Sequence, residues 1–311
     1  MISNLLRRSR AALAITVATG ALLTVAAPAE AAAPAPTVTA RGAFLMDGTT
    51  GTMLYTKSGN TKRQMASTTK IMTAAVVITT PGIDLNKKVK IQQEYLNYVV
   101  REGASSAHLK AGATPTVRQL LYALMLPSGC DAAYALADTF GSGATTAART
   151  ADFIAKMNAK AKTLGMTNTV YDSFDGISPT GNNLTTPRDL AKLTKYTMGA
   201  YTFRTLVKTT SISSGATSTD ATWTNSNLLL QAGSGYTTPG AIGVKTGTGT
   251  AAGKCLVFSV TRNGKTVIGV MLNDEERYAD AIKLTDWALG PAAGAPALQR
   301  SNTTPIPDVL D

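Results

Sequence analysis

The chain has 311 residues, with 30 Lys or Arg against 19 Asp or Glu, a formal net charge of +11. Two cysteines, Cys130 and Cys255, exclude a disulfide framework and leave one bridge or two free thiols. No His/Cys/carboxylate cluster has metal-ligand spacing and no glycine pattern resembles a phosphate loop, so no cofactor is expected.

Met1 to Arg10 is short and basic, with Arg7, Arg8 and Arg10, and Ala11 to Val25 is an uncharged, mostly apolar run. The small residues of "PAEAAAPAP" follow, with an A-x-A pattern at Ala29-Glu30-Ala31. These three parts read as a secretory signal peptide over residues 1–31, with an apolar run too short for a comfortable membrane span. The Arg7-Arg8 pair sits among other basic residues and is a weak twin-arginine signal. Removing 1–31 leaves 280 residues, 27 basic and 18 acidic, enough for one large or two small domains. An exported basic protein is drawn to anionic polymers such as cell wall or lipid head groups. Export and the scatter of the basic residues argue against nucleic acid as the partner.

Residues 32–40 are rich in Ala, Pro and Thr and read as a disordered leader. "GAFLMDGTTGTMLYTKS" (42–58) predicts a hairpin around Asp47-Gly48 and Gly51. "MASTTKIMTAAVVITT" (65–80) predicts a buried helix from about Thr68, followed by a polar connection. Thr116 with Gln119 is a capping box ahead of Leu120, Leu121, Leu124 and Met125, and Pro127 ends that helix. Further helices are expected from Asp131, over Ala151 to Leu164, and over 185–198 with Thr186 as N-cap and Pro187 in the first turn. The stretch 240–274 holds three β-rich runs, the last two joined by an Asn263-Gly264 turn, and 275–289 reads as a closing helix. The simplest architecture is α/β: a mainly antiparallel sheet made from both chain ends, flanked by helices, with an all-helical subdomain inserted. The functional domain then spans 41–290, with 291–311 as a tail.

One residue in the helix from Thr68 is out of place. Lys70 lies among Met65, Ile71, Met72 and Val76, three residues after Ser67. At i and i+3 the two share a helix face, about 5–6 Å apart at Cβ. A serine needs a base to become a nucleophile, and a desolvated lysine can lose its proton near neutral pH. The helix start would also favour a developing anion. The same residues also allow Ser67 to be only a cap and Lys70 to snorkel to solvent.

Two more motifs bear on that choice. "SGC" (128–130) lies between two helices, and "KTG" (245–247) comes late in a predicted strand, followed by Thr248. S-x-x-K, a middle serine motif and K-T-G in this order resemble the set of penicillin-binding proteins and class A β-lactamases. With "LGMTNTVYDSFDGI" and "TTPRDLAKL", the chain from about residue 40 to 290 resembles the low-molecular-mass serine D-alanyl-D-alanine carboxypeptidase/transpeptidase family, peptidase family S11. The Ser-Gly-Cys form of the middle motif is similar to that of streptomycete DD-transpeptidases in that family.

The resemblance implies roles. Ser67 would be the acylated nucleophile, Lys70 its base, and Ser128 the relay to the leaving D-alanine. Lys245 and Thr246 would bind the substrate carboxylate, and backbone N–H groups of Ser67 and Thr248 would form the oxyanion hole. Gly247 would let the substrate backbone approach the strand edge. Cys130 stands where the family usually has asparagine, and a thiol is only a weak donor and acceptor. It is expected as a free thiol lining the cleft and touching the substrate's penultimate peptide. His108 lacks any nucleophile signature and reads as an ordinary packed or surface histidine.

The implied enzyme is an exported monomer in the cell wall or at the outer membrane face. It would act on D-Ala–D-Ala peptidoglycan stem peptides, with β-lactams as covalent inhibitors. Two alternatives are a class A-like β-lactamase and a non-catalytic wall-binding protein. The first lacks the glutamate that holds a deacylating water, since no glutamate lies between Ser128 and Lys245. The second would not need a nucleophile–base pair.

Overall fold

Five antiparallel strands run through the middle of the molecule, and they come from opposite ends of the chain. The computed structural model describes residues 34–292. Strands β1 (Gly42–Asp47) and β2 (Met53–Lys57) form the expected hairpin. A short β3 (Arg63–Gln64) and a 3-10 turn (Ala66–Thr69) lead directly into α1 (Lys70–Ile78). Then follow α2 (Gln93–Glu102), α3 (Val117–Met125), α4 (Cys130–Phe140) and α5 (Thr146–Thr163). A short β4 (Leu184–Thr185) pairs with β3 ahead of α6 (Pro187–Met198) and α7 (Tyr201–Lys208). A small β5 (Ser211–Ser213) and β6 (Thr222–Thr224) ribbon precedes β7 (Ala241–Gly249), β8 (Gly253–Arg262), β9 (Lys265–Leu272) and α8 (Arg277–Leu289).

The sheet order is β2-β1-β9-β8-β7, which leaves β7 at an edge. Side-chain alternation buries both faces. Phe44, Met46, Cys255, Val257, Ile268, Val270 and Leu272 face a large core shared with α1, α3, α4 and α6. Ala43, Leu45, Leu256, Phe258, Val260, Val267 and Met271 face a smaller core closed by α8 through Tyr278, Ala281, Ile282 and Leu284. The fold is therefore α/β, three layers deep. The inserted helices share the first core with the sheet rather than enclosing one of their own.

Local chemistry explains most boundaries. The Thr116–Gln119 capping box forms reciprocally, and Thr186 accepts from Asp189 N with Pro187 in the first turn. Asn263 and Gly264 adopt left-handed φ of 50° and 73°, as the tight β8–β9 turn requires. Two helices, α2 and α7, were not anticipated. Only Tyr95 of α2 is buried, so its apolar stripe is thin.

The stretch 32–40 departs from expectation where it is described. Val38 and Ala40 are buried in the second core, and Thr39 hydrogen-bonds Asp274 and Asp280. Apolar partners on α8 and the sheet outweigh a composition that by itself favours disorder. The signal peptide over 1–31 and nearly all of the 291–311 tail lie outside the described residues. Among the described residues no helix is long and apolar enough to cross a membrane.

Candidate active site

The 3-10 turn that opens α1 sits beneath the edge strand β7 and beside the loop that opens α4. Ala66, just before Ser67, takes a left-handed φ of 45°, a conformation costly for a residue with a Cβ. Ser128 does the same at φ 66°. Both serines are thus set by strained backbone, and both are buried.

Four of the expected residues meet in two close pairs. Lys70 Nζ is 2.5 Å from Ser67 Oγ, and Lys245 Nζ donates to Ser128 Oγ at 2.8 Å. Lys70 does not snorkel: it is fully buried, and its Nζ also donates to Asp175 O at 3.0 Å and Cys130 Sγ at 3.2 Å. Lys245 donates to Thr246 O at 3.0 Å. The surroundings of Lys70 Nζ are therefore polar, although the helix that bears it is apolar.

Thr246 and Thr248 alternate with Lys245 and Gly247 along β7. Thr246 Oγ1 shares a 2.7 Å hydrogen bond with Ser226 Oγ. Thr248 Oγ1 and Gly247 O both accept from Arg277 Nη1, at 3.1 and 2.9 Å, and Cys255 O accepts from the same nitrogen at 3.1 Å. Gly247 also meets a requirement of the fold itself. A Cβ there would lie 3.1 Å from Met65 O, Ser67 N and Thr68 N. The missing side chain lets the edge strand close onto the Ser67 turn.

Cys130 is fully buried, as Ser67, Lys70, Ser128 and Lys245 are, with its Sγ against Lys70 Nζ. Burial pushes its thiol up to about 12, against the opposing pull of the Lys70 charge. Both cysteines are free thiols. His108 lies at the surface, its Nδ1 2.9 Å from Asp220 Oδ2, away from these pairs.

Several residues escaped the sequence reading. Asn183 Nδ2 donates to Thr69 Oγ1 at 2.7 Å and braces the turn that carries Ser67. Gly176, at φ 111°, lets the 173–177 loop press on that turn, since a Cβ would fall 2.2 Å from Ala66 O. Asp175 supplies a carbonyl to Lys70, and Arg277 ties β7 to α8. None carries a periodic or spacing signal. The "YDSFDGI" stretch was readable only as a family likeness.

A serine hydrogen-bonded to a buried lysine, with a second lysine–serine pair above it, is the arrangement of a serine acyl-transfer enzyme that uses no histidine. The family model for D-alanyl-D-alanine carboxypeptidases, peptidase S11, matches residues 28–276, and the chain belongs to that family. It is 50% identical over 292 residues to the D-alanyl-D-alanine carboxypeptidase of Streptomyces sp. (strain K15), covering 90% of this chain and 98% of that one. A D-alanyl-D-alanine carboxypeptidase of Mycobacterium tuberculosis is 32% identical over 274 residues, covering 85% and 88%. The crystal structure of the Streptomyces K15 DD-transpeptidase superposes with a TM-score of 0.77 at 51% identity, covering 82% of this chain and 98% of that chain.

Proposed function

We propose that this enzyme is an exported, penicillin-binding serine DD-transpeptidase/carboxypeptidase that acts on the D-Ala–D-Ala ends of peptidoglycan stem peptides. The observation that carries the reading is the 2.5 Å contact between Lys70 Nζ and Ser67 Oγ in a buried setting. Lys70 in its amine form takes the Ser67 proton as Oγ attacks the carbonyl carbon of the penultimate D-alanine. The Lys245 ammonium stands beyond Ser128, and a like charge nearby disfavours the ammonium form of Lys70.

The tetrahedral oxyanion is held by the N–H groups of Ser67 and Thr248. The peptide C–N bond then breaks. The leaving D-alanine nitrogen takes a proton relayed from Lys70 through Ser128, whose hydroxyl already bonds Lys245. The leaving residue's carboxylate is held by Lys245 and the hydroxyls of Thr246 and Thr248. Because β7 is a sheet edge, the substrate peptide can add to it as a further strand. An amine or water then attacks the Ser67 ester, giving a cross-link or a trimmed peptide. The enzyme works as a monomer at the cell wall, delivered by the signal peptide over 1–31.

Incubation with benzylpenicillin, followed by intact mass and peptide mapping, tests the reading. A long-lived adduct on Ser67, with D-alanine release from a D-Ala–D-Ala peptide, supports it. Rapid turnover of penicillin indicates a β-lactamase, and no adduct at all indicates a binding protein.

A further inference from the structure

Lys70 leans on a carbonyl that a distant helix holds in place. Asp175 O accepts from Lys70 Nζ at 3.0 Å, while the Asp175 carboxylate accepts Tyr98 Oη at 2.7 Å and Ile177 N at 3.0 Å. Tyr98 belongs to α2, which buries only Tyr95. The Tyr98 ring packs against Phe174 and Tyr134, at centroid distances of 5.9 and 5.3 Å, so ring and hydroxyl both grip the 173–177 loop. On its other side the loop is pinned to α1, where Thr73 Oγ1 donates to Phe174 O at 2.5 Å. The loop thus lies between the nucleophile's helix and α2.

We infer that Tyr98 is a positioning residue for acylation: by clamping the Asp175 carboxylate it sets both the Asp175 carbonyl and the Asp175 charge against Lys70. The inference rests on the reading of Lys70 as the base for Ser67.

The charge has a sign that can be measured. Burial chiefly raises the Cys130 thiol, and the Asp175 carboxylate adds to that rise, at a sulfur 3.2 Å from Lys70 Nζ. A negative charge there favours the ammonium form of Lys70, and a hydroxyl donating to that carboxylate disperses the charge. Cys130 from α4 also meets Lys70 Nζ, and the Lys245 ammonium from β7 holds Ser128. Asp131 of α4 is turned away, onto the N–H groups of Ala107 and Leu109. Losing the clamp concentrates charge on Asp175, while neutralising Asp175 removes it. The two changes therefore push the base in opposite directions.

The experiment measures benzylpenicillin acylation against pH for the wild-type protein, Tyr98→Phe and Asp175→Asn, with thermal midpoints alongside. Tyr98→Phe keeps the ring and is expected to slow acylation at neutral pH by about tenfold, the scale of one lost hydrogen bond to a charged group. Its ascending pH limb moves upward by a few tenths of a unit, roughly. Asp175→Asn moves the same limb downward by about one unit. An Asp175→Asn limb that stays in place or moves upward overturns the inference whether or not Tyr98→Phe folds. Wild-type behaviour in Tyr98→Phe, a slower rate with no limb movement, or both limbs moving the same way also overturns it. A wild-type protein that penicillin does not acylate removes the Ser67–Lys70 reading itself, and the inference with it.

Discussion

Cys130 Sγ lies 3.2 Å from Lys70 Nζ, so a thiol rather than an amide carbonyl stands beside the buried lysine of α1. Its surroundings hold it as the neutral thiol, raised to about 12. Thiol reagents act through the thiolate and need access, and Cys130 offers neither. Iodoacetamide is expected to leave the native protein unlabelled at pH 7.5 and to label it after unfolding. Labelling of the native protein at the rate of a free thiol, read by mass spectrometry, would show the cleft to be open there. The raised value also carries a stability sign. From about 9 to about 12 the unfolded chain ionises while the folded one does not, so this residue's contribution is lost as pH rises through that window.

Ser67 and Lys70 are expected to fail together. Ser67→Ala abolishes the penicillin adduct, and Lys70→Ala slows acylation by roughly 10²- to 10⁴-fold, the usual worth of a general base. Stopped-flow acylation of the Lys70→Ala protein checks this. A wild-type rate would return Lys70 to a structural role.

Lys245→Gln separates charge from geometry. Acylation by penicillins and other carboxylate-bearing substrates should weaken markedly, whereas an analogue with its carboxylate masked as an ester should be much less affected. Equal losses for both would assign Lys245 to holding Ser128, 2.8 Å away, rather than to the substrate.

Gly176→Ala tests whether the loop presses on the nucleophile. Its Cβ would fall 2.2 Å from Ala66 O at a φ of 111°, and neither atom can yield without moving Ser67. Acylation is expected to drop by more than the thermal midpoint would suggest, because the displaced group is the reacting one. A variant with native acylation and a native midpoint would show that the turn relaxes freely.

Asp274 links the N-terminal strap to pH. Its Oδ1 accepts Thr39 Oγ1 at 2.5 Å, its Oδ2 is buried without a donor, and burial beside the Asp280 carboxylate raises it to about 6. The folded state therefore binds more protons than the unfolded one between about 4 and 6, and stability contributed by this group falls as pH rises through that window. Asp274→Asn is expected to raise the thermal midpoint at pH 7.5 and to change it little at pH 4. A lowered midpoint at both values would mean that the lost acceptor outweighs the removed charge.

The five sheet strands, most of the helices, the capping box at Thr116, the Asn263-Gly264 turn and the three motifs could be read from residue order. Each rests on interactions a few residues apart, or on side-chain period, which the chain carries locally. The thin amphipathic stripe of α2 could not be read, nor could the packing of residues 35–40, because both depend on partners far along the chain. Residue order likewise put Cys130 in the middle motif without showing that its thiol would lie against Lys70. It placed Gly247 on a strand without showing that the strand closes onto Ser67. Asp175 and Tyr98 are 77 residues apart, and Lys70 and Asp175 are 105 apart. Contacts of that separation exist only once the helices have docked on the sheet, so tertiary packing alone decides what surrounds the lysine that residue order had singled out.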